Sequence, residues 1–211
     1  MSMKKIFVTG GCGFIGSNFI RLLLKKGYSV VNYDLMTYAG QGNNLAGVKD
    51  SKYSFVKGDI CDLDHVTKSM VECDSVVHFA AESHVDRSID NPNEFVKTNV
   101  IGTASVLEAA KRNKISRFIQ ISTDEVYGSL RPDDPSCTEE THLNPRSPYS
   151  ASKASAEMMA ISYYHTYGLS VIITRSSNNY GPYQFIEKLV PLFITNLIKG
   201  KKVPLMGKGE N

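Results

Sequence analysis

The sequence predicts an α/β fold: a doubly wound parallel sheet with helices on both faces, followed by the start of a smaller C-terminal substrate region. Three observations predict it. Short apolar runs rich in β-formers recur along the chain, with amphipathic segments of helix length between them. The runs are apolar almost throughout, as strands buried on both faces must be. The first run leads into a glycine-rich turn that opens a helix, the start of a β-α-β order that keeps successive strands parallel.

In chain order, the strands are expected at Lys4 to Val8, Ser29 to Asp34, Tyr53 to Lys57, Ser75 to Phe79, Arg117 to Ser122 and Leu169 to Arg175. Helices are expected at Phe14 to Lys26, closed by Gly27, and over two longer stretches, Asn93 to Arg112 and Tyr149 to Tyr167. After Gly181 the pattern changes to a helix-like run, Glu187 to Lys199, a short segment Val203 to Met206 and a glycine-rich end, Gly207 to Asn211. This divides the chain into a dinucleotide-binding domain over residues 1–180 and the beginning of a substrate-binding region over 181–211. The ending predicts a truncation, with an exposed terminal tail as the plain alternative.

Composition narrows the classes. With 42% hydrophobic and 21% charged residues, the 211-residue chain reads as one globular domain plus a remnant. The 24 Lys and Arg barely exceed the 21 Asp and Glu, and no basic run is longer than two lysines, so a nucleic-acid groove is not expected. The four cysteines form no CxxC pair, which argues against a zinc site and a disulfide framework. No charged leader with an apolar segment opens the chain and no apolar stretch reaches membrane-span length, so the expectation is a cytoplasmic protein with reduced thiols.

The turn Thr9-Gly10-Gly11-Cys12-Gly13-Phe14-Ile15-Gly16 carries a GxxGxxG spacing. Gly10 permits a tight turn, Gly13 a close approach of backbone to a pyrophosphate, and Gly16 close packing of helix on strand. Asp34, ending the second strand, can accept hydrogen bonds from an adenosine ribose and would repel a 2′-phosphate, which favours NAD over NADP. Asp59 and Ile60, after the third strand, fit a place beside adenine; an Asp there also suits a helix N-cap.

Tyr149 and Lys153 stand four residues apart, on one helical face. A nearby ammonium lowers the pKa of a phenol and suits it to take a proton from an alcohol. Thr123, Asp124 and Glu125 follow the fifth strand. The two acids can serve one substrate only if the strand has already turned into a loop, a bend that Gly128 favours; an N-cap with first-turn acids is the alternative. His78 reads as core, and His84 as structural rather than a metal ligand, so no metal is expected.

The segments GGCGFIGSN, AAESHVDRSI, STDEVYG, SPYSASKAS and RSSNNYGPYQ resemble the extended short-chain dehydrogenase family and, within it, the dTDP-glucose 4,6-dehydratases. The adjacent acids Asp124 and Glu125 separate that group from the epimerases. The resemblance implies a Rossmann-like fold, a tightly bound NAD, a dTDP-glucose substrate and a homodimer formed through the two long helices. It implies Tyr149 as base at C4, Lys153 on the phenolate and nicotinamide ribose, and Thr123 orienting the hydroxyl. Glu125 would take the C5 proton and Asp124 would give one to the departing C6 hydroxyl. It further implies Phe14 and Ile15 at the pyrophosphate, Thr37 near the adenosine half, and Ala80, Ala81, Ser83, Thr98 and Asn179 at the cofactor. Ser83, Thr123, Asn178, Lys188 and Leu189 would face the nucleotide sugar. By spacing alone, Asn178 and Asn179 also suit a turn, and Lys188 a solvated helix charge.

Two local departures stand out: Leu35-Met36 replaces a Lys-Leu pair, and Phe185-Ile186-Glu187-Lys188 a Phe-Pro-Glu-Lys segment. Family members also continue well past this length. The rival readings are an epimerase, a dehydratase of a UDP-, CDP- or GDP-hexose, and a non-catalytic NAD-binding fragment.

Overall fold

The computed structural model describes residues 4–40, 42–131 and 133–205. Six parallel strands form one sheet: β1 (Lys5–Thr9), β2 (Ser29–Asp34), β3 (Tyr53–Lys57), β4 (Ser75–His78), β5 (Arg117–Thr123) and β6 (Val171–Ser176), in the order β3-β2-β1-β4-β5-β6. Strand order reverses between β1 and β4. Connections leave β1 and β4 toward opposite faces there, which opens a crevice at the carboxyl ends of the strands. The expected doubly wound, Rossmann-like fold is the observed one.

Strand alternation sorts the core into two layers. Phe7, Val31, Val76 and Phe118 point to one face and pack with Val66 of α2 (Leu63–Ser69), Met70 at its C-cap, and Val106, Leu107 and Ala110 of α5 (Thr103–Arg112). Ile6, Val8, Val30 and Val77 point to the other, where Ile20 and Leu23 of α1 (Phe14–Lys25) cover them. β6 is an edge strand with alternating exposure, and Ile172 is 42% exposed.

Helix α6 (Pro148–Tyr167) is set by its ends. Ser147 accepts from the Ser150 N–H at 3.0 Å while the Ser150 hydroxyl accepts from the Ser147 N–H at 3.0 Å, a reciprocal cap strengthened by Pro148 at the first helical position. Gly168 stops it in the left-handed region at φ 69°. This fixes where Tyr149 and Lys153 begin.

The long helix expected over 93–112 is instead three pieces: α4 (Pro92–Phe95), a π turn (Val96–Gly102) and α5. The β-branched run Val96, Thr98, Val100 and Ile101 is a poor helix interior, and the Thr103 hydroxyl bonds back to the Asn99 carbonyl at 2.6 Å. Two short helices, α2 and α3 (Val85–Asp90), have no counterpart in the sequence reading, being too short to show a period. The run expected at Glu187 to Lys199 is α7 (Leu189–Ile198). Residues 203–205 are irregular, and Met206 with the Gly207–Asn211 tail lies outside the described residues. No helix among the described residues is long and apolar enough to cross a membrane.

Candidate active site

The crevice holds two connected hollows that share Gly10, Ala39, Phe79 and Ala81. At their junction lies the glycine turn. Gly10 adopts φ +69°, and a Cβ there would lie 2.5 Å from the Ala80 nitrogen, so both the turn and the approach of the β4 loop require glycine. A Cβ at Gly16 would press on the Gly10 carbonyl oxygen. Gly13 is the N-cap of α1, and that first turn has neither a capping side chain nor an acidic residue. Its N–H groups are thus free to face an anion.

The smaller hollow, about 240 Å³, is lined by Asp34, Thr37, Gly58, Asp59, Ile60, Ala80, Lys97 and Thr98 among others. Asp34 is 8% exposed and anchored by two backbone donors, Cys12 N–H to one oxygen at 2.8 Å and Met36 N–H to the other at 2.7 Å. Each oxygen keeps a second lone pair for a ribose hydroxyl. Burial raises its pKa and the two backbone bonds pull it back down. Met36 pays for its bond with a left-handed backbone, φ 58°. Asp59 lines the hollow as expected and is not the helix cap: its carboxylate accepts from Cys61 N–H, whereas Asp62 caps α2 through His65 N–H.

The second hollow, about 300 Å³, brings together Phe14, Ile15, Ser83, Thr123, Glu125, Tyr149, Lys153, Asn178, Asn179 and Lys188 with Gly10, Gly16 and Ala81, thirteen of the residues singled out from sequence. Lys153 is buried, and its Nζ donates to the Ile121 carbonyl at 2.6 Å. Burial lowers its pKa to about 8 against the raising pull of Glu157. Tyr149 departs from expectation. Its pKa is pushed up to about 12, first by burial and then by the Glu125 carboxylate, with the Thr123 hydroxyl lowering it and Asp124 raising it. Lys153, engaged by a backbone carbonyl, is not among those influences, so the expected lowering of the phenol is corrected.

β5 ends at Thr123, and a single 3-10 turn, Asp124–Tyr127, carries both carboxylates at the active edge of the sheet. The N-cap alternative is also realised, since the Thr123 hydroxyl accepts from Glu125 N–H at 3.2 Å and lies 3.3 Å from Asp124 Oδ1. Gly128 closes the turn at φ +83°. Glu125 lines the crevice and Asp124 a wider open hollow of about 870 Å³ alongside β6; Glu125, Ser177 and Asn178 line both. Burial, then repulsion from Asp124, raises the Glu125 pKa, while Lys188 lowers it. Lys188 itself lines the second hollow.

Some expectations are modified. Asn179 is both a lining residue and a turn residue, its Nδ2 donating to the Ser177 carbonyl at 3.0 Å. Leu189 is 66% exposed at the start of α7 and is not among the residues lining either hollow. Sequence reading passed over Tyr38, Gln184, Phe185 and Glu187, which line the second hollow from loops. It also missed Asn99, in the π turn: its side chain accepts from Glu82 N–H at 2.8 Å, donates to the Glu82 carbonyl and donates to Ser152 at 2.8 Å. Asn99 thereby ties the β4 loop to α6, a task for which a π turn is suited and of which the sequence gives no sign.

A family model described as GDP-mannose 4,6 dehydratase matches residues 7–211. The chain is 49% identical to a dTDP-glucose 4,6-dehydratase of Streptomyces niveus and 51% identical to one of Streptomyces antibioticus, in each case over 98% of its own length. It spans 63% and 62% of those relatives. Among solved structures, a dTDP-glucose 4,6-dehydratase of Streptomyces venezuelae with NAD and dTDP bound superposes with a TM-score of 0.94 at 50% identity, covering 98% of this chain and 66% of that one. A UDP-glucuronic acid 4-epimerase of Bacillus cereus, bound to its substrate and NAD, reaches 0.91 at 31% identity, covering 97% and 66%. The glycine turn, the Tyr149–Lys153 pair and these matches agree: the chain belongs to the nucleotide-sugar-modifying extended short-chain dehydrogenases, in the family described as GDP-mannose 4,6 dehydratase.

Proposed function

We propose that the protein is a hydro-lyase that converts dTDP-glucose to dTDP-4-keto-6-deoxyglucose with NAD as a retained cofactor. The observation that carries this reading is the 3-10 turn placing Asp124 and Glu125 side by side, next to Tyr149 and Lys153. An epimerase, which only removes and returns a hydride at C4, has no task for two acids there.

The residues present fit NAD: a cradle that a Cβ at Gly10 or Gly16 would fill, an uncapped helix N-terminus, and a ribose acid with two free lone pairs. Gly10, Gly13, Phe14, Ile15 and Gly16 would hold the pyrophosphate. Asp34, Thr37, Asp59, Ile60, Ala80 and Thr98 would hold the adenosine half, and Ala81, Ser83, Tyr149, Lys153 and Asn179 the nicotinamide half. When bound, NAD would supply the hydride acceptor for C4 and the hydride donor for C6.

The chain's own groups do the proton work. Tyr149 takes the proton of the C4 hydroxyl, which Thr123 orients, and Lys153 neutralises the phenolate. The ketone at C4 acidifies the proton at C5. Glu125 removes it, as a carboxylate whose pKa burial and Asp124 raise. Asp124 gives a proton to the departing C6 hydroxyl, so water leaves. Ser83, Asn178 and Lys188 face the nucleotide sugar, and the segment from 181 onward begins the region that grips it.

The test is to supply the whole protein with NAD and dTDP-glucose and follow the 4-keto-6-deoxy product. Glu125→Gln is expected to cut product formation by about 10²–10⁴-fold, the usual worth of a general base, while oxidation at C4 persists. Normal product formation by this variant refutes the assignment of the base.

We also propose a cytoplasmic homodimer through α5 and α6. Exposed apolar side chains on and beside these helices, Ile101, Met158, Tyr164 and Tyr167 among them, support it. Sedimentation is expected to give twice the chain mass at micromolar protein, and Met158→Glu to shift it toward the monomer; a monomer in the unsubstituted protein refutes it.

A further inference from the structure

Behind the acid turn lies a set of buried charges that the proposed chemistry does not use. Glu157 is fully buried on α6, one helical turn beyond Lys153. Arg175, on β6, grips it with Nε at 3.1 and 3.0 Å from the two carboxylate oxygens and Nη2 at 2.7 Å from Oε2. Nη1 of the same guanidinium donates to the Tyr127 hydroxyl at 2.7 Å, and Tyr127 passes its own proton to the Thr138 carbonyl at 2.9 Å. The guanidinium carbon also lies 5.0 Å from the centre of the Tyr127 ring. Tyr127 is the last residue of the turn that carries Asp124 and Glu125.

Stability is a poor reason for this arrangement. Withdrawing a carboxylate and a guanidinium from water costs about as much as their attraction returns, and apolar residues of the same volume would serve as well. Fixing a register is the better-supported use of such a pair. The need is visible in the turn itself: among the described residues, Thr123 is the one side chain bonded to it on the acid side, through Asp124 Oδ1 and Glu125 N–H. Asp124 is exposed and Glu125 only partly covered, so their position follows from the turn backbone and from whatever holds Tyr127. Tyr149 and Lys153 need no such help, because both rise from the first two turns of the capped helix α6.

We propose that Glu157, Arg175 and Tyr127 form a strut that sets the distance between the acid turn and α6, and so governs elimination of water separately from oxidation at C4. They are positioning residues. This inference rests on the dehydratase reading above. It assigns them no contact with substrate; they hold the base and the acid over the sugar that Tyr149 has engaged.

Tyr127→Phe and Arg175→Lys in the whole protein test it, since the first keeps the ring and the second keeps the charge. Each is expected to retain NAD and to oxidise dTDP-glucose at the normal rate. Product formation is expected to fall by about tenfold to a hundredfold, the cost of displacing a catalytic group by roughly an ångström, with KM unchanged. The signature is a build-up of reduced-nicotinamide absorbance after substrate is added, as in Glu125→Gln and unlike the unsubstituted protein. Glu157→Gln should act in the same direction, and the two milder variants decide the matter if it fails to fold. Variants that match the unsubstituted protein, or that lose oxidation and elimination together with no absorbance build-up, overturn the strut. An unsubstituted protein that leaves dTDP-glucose untouched overturns the functional reading beneath it, a different result in a different sample.

Discussion

Tyr149→Phe is expected to abolish oxidation at C4, by about 10²–10⁴-fold, and to leave the fold and dinucleotide binding in place. The substitution removes one oxygen from a ring that is 9% exposed and packed edge-on to Phe95 with centroids 6.3 Å apart, so the packing survives. What is lost is the acceptor for the C4 hydroxyl proton. That acceptor is not poised by the arrangement around it: burial and Glu125 push the phenol up to about 12, and Lys153 is spent on the Ile121 carbonyl. Oxidation therefore requires Lys153 to turn from that carbonyl toward the phenol, and Lys153→Met is expected to lose the same step. Rapid-mixing absorbance of reduced nicotinamide reads both variants. A loss under fivefold in Tyr149→Phe would remove Tyr149 from the reaction.

The contrast between the legible and illegible parts of this site is one of range. The Tyr149–Lys153 face and the glycine turn are encoded within a few residues, and each lies where the sequence puts it; the Ser147 cap is just as local but was not read. The inner strands were legible because burial on both faces leaves a nearly continuous apolar run; β2 matches to the residue, as does the edge strand β3, which is not buried. The sign of the Tyr149 shift was not, because its main charged neighbour, Glu125, comes from a different element. Asn99 and the pair Glu157–Arg175 were missed for the same reason. Their partners come from other elements, and a lone Asn, Glu or Arg in a helix or strand gives no local sign of them. The acids at 124 and 125 fall between: spacing left a cap and a catalytic pair as alternatives, and the 3-10 turn realises both at once.

His78 gives the protein an acid-labile core, expected to lower stability by as much as about 5 kcal/mol as pH falls from 6.5 toward 3. Its side chain is fully enclosed between two threonines, Nδ1 at 2.6 Å from the Thr9 hydroxyl and Nε2 at 3.0 Å from the Thr103 hydroxyl. The Thr103 proton is committed to the Asn99 carbonyl at 2.6 Å, so Nε2 must carry the hydrogen and Nδ1 must accept from Thr9. A second proton on the ring would leave the Thr9 hydroxyl hydrogen facing a donor, and burial together with the Lys153 charge already lowers the pKa to about 3. The unfolded chain binds a proton at this residue near its ordinary value of 6.5 and the folded chain does not, so stability rises with pH between about 3 and 6.5 and is flat above. Raised carboxyls at Asp34, Glu82 and Glu125 work in the opposite direction over part of that range. The comparison must therefore be with His78→Gln, which fills the site without titrating. Urea denaturation at pH 7 and pH 4.5 is expected to show a markedly smaller loss in the variant than in the unsubstituted protein, and equal losses would mean that the imidazole is not what acid attacks.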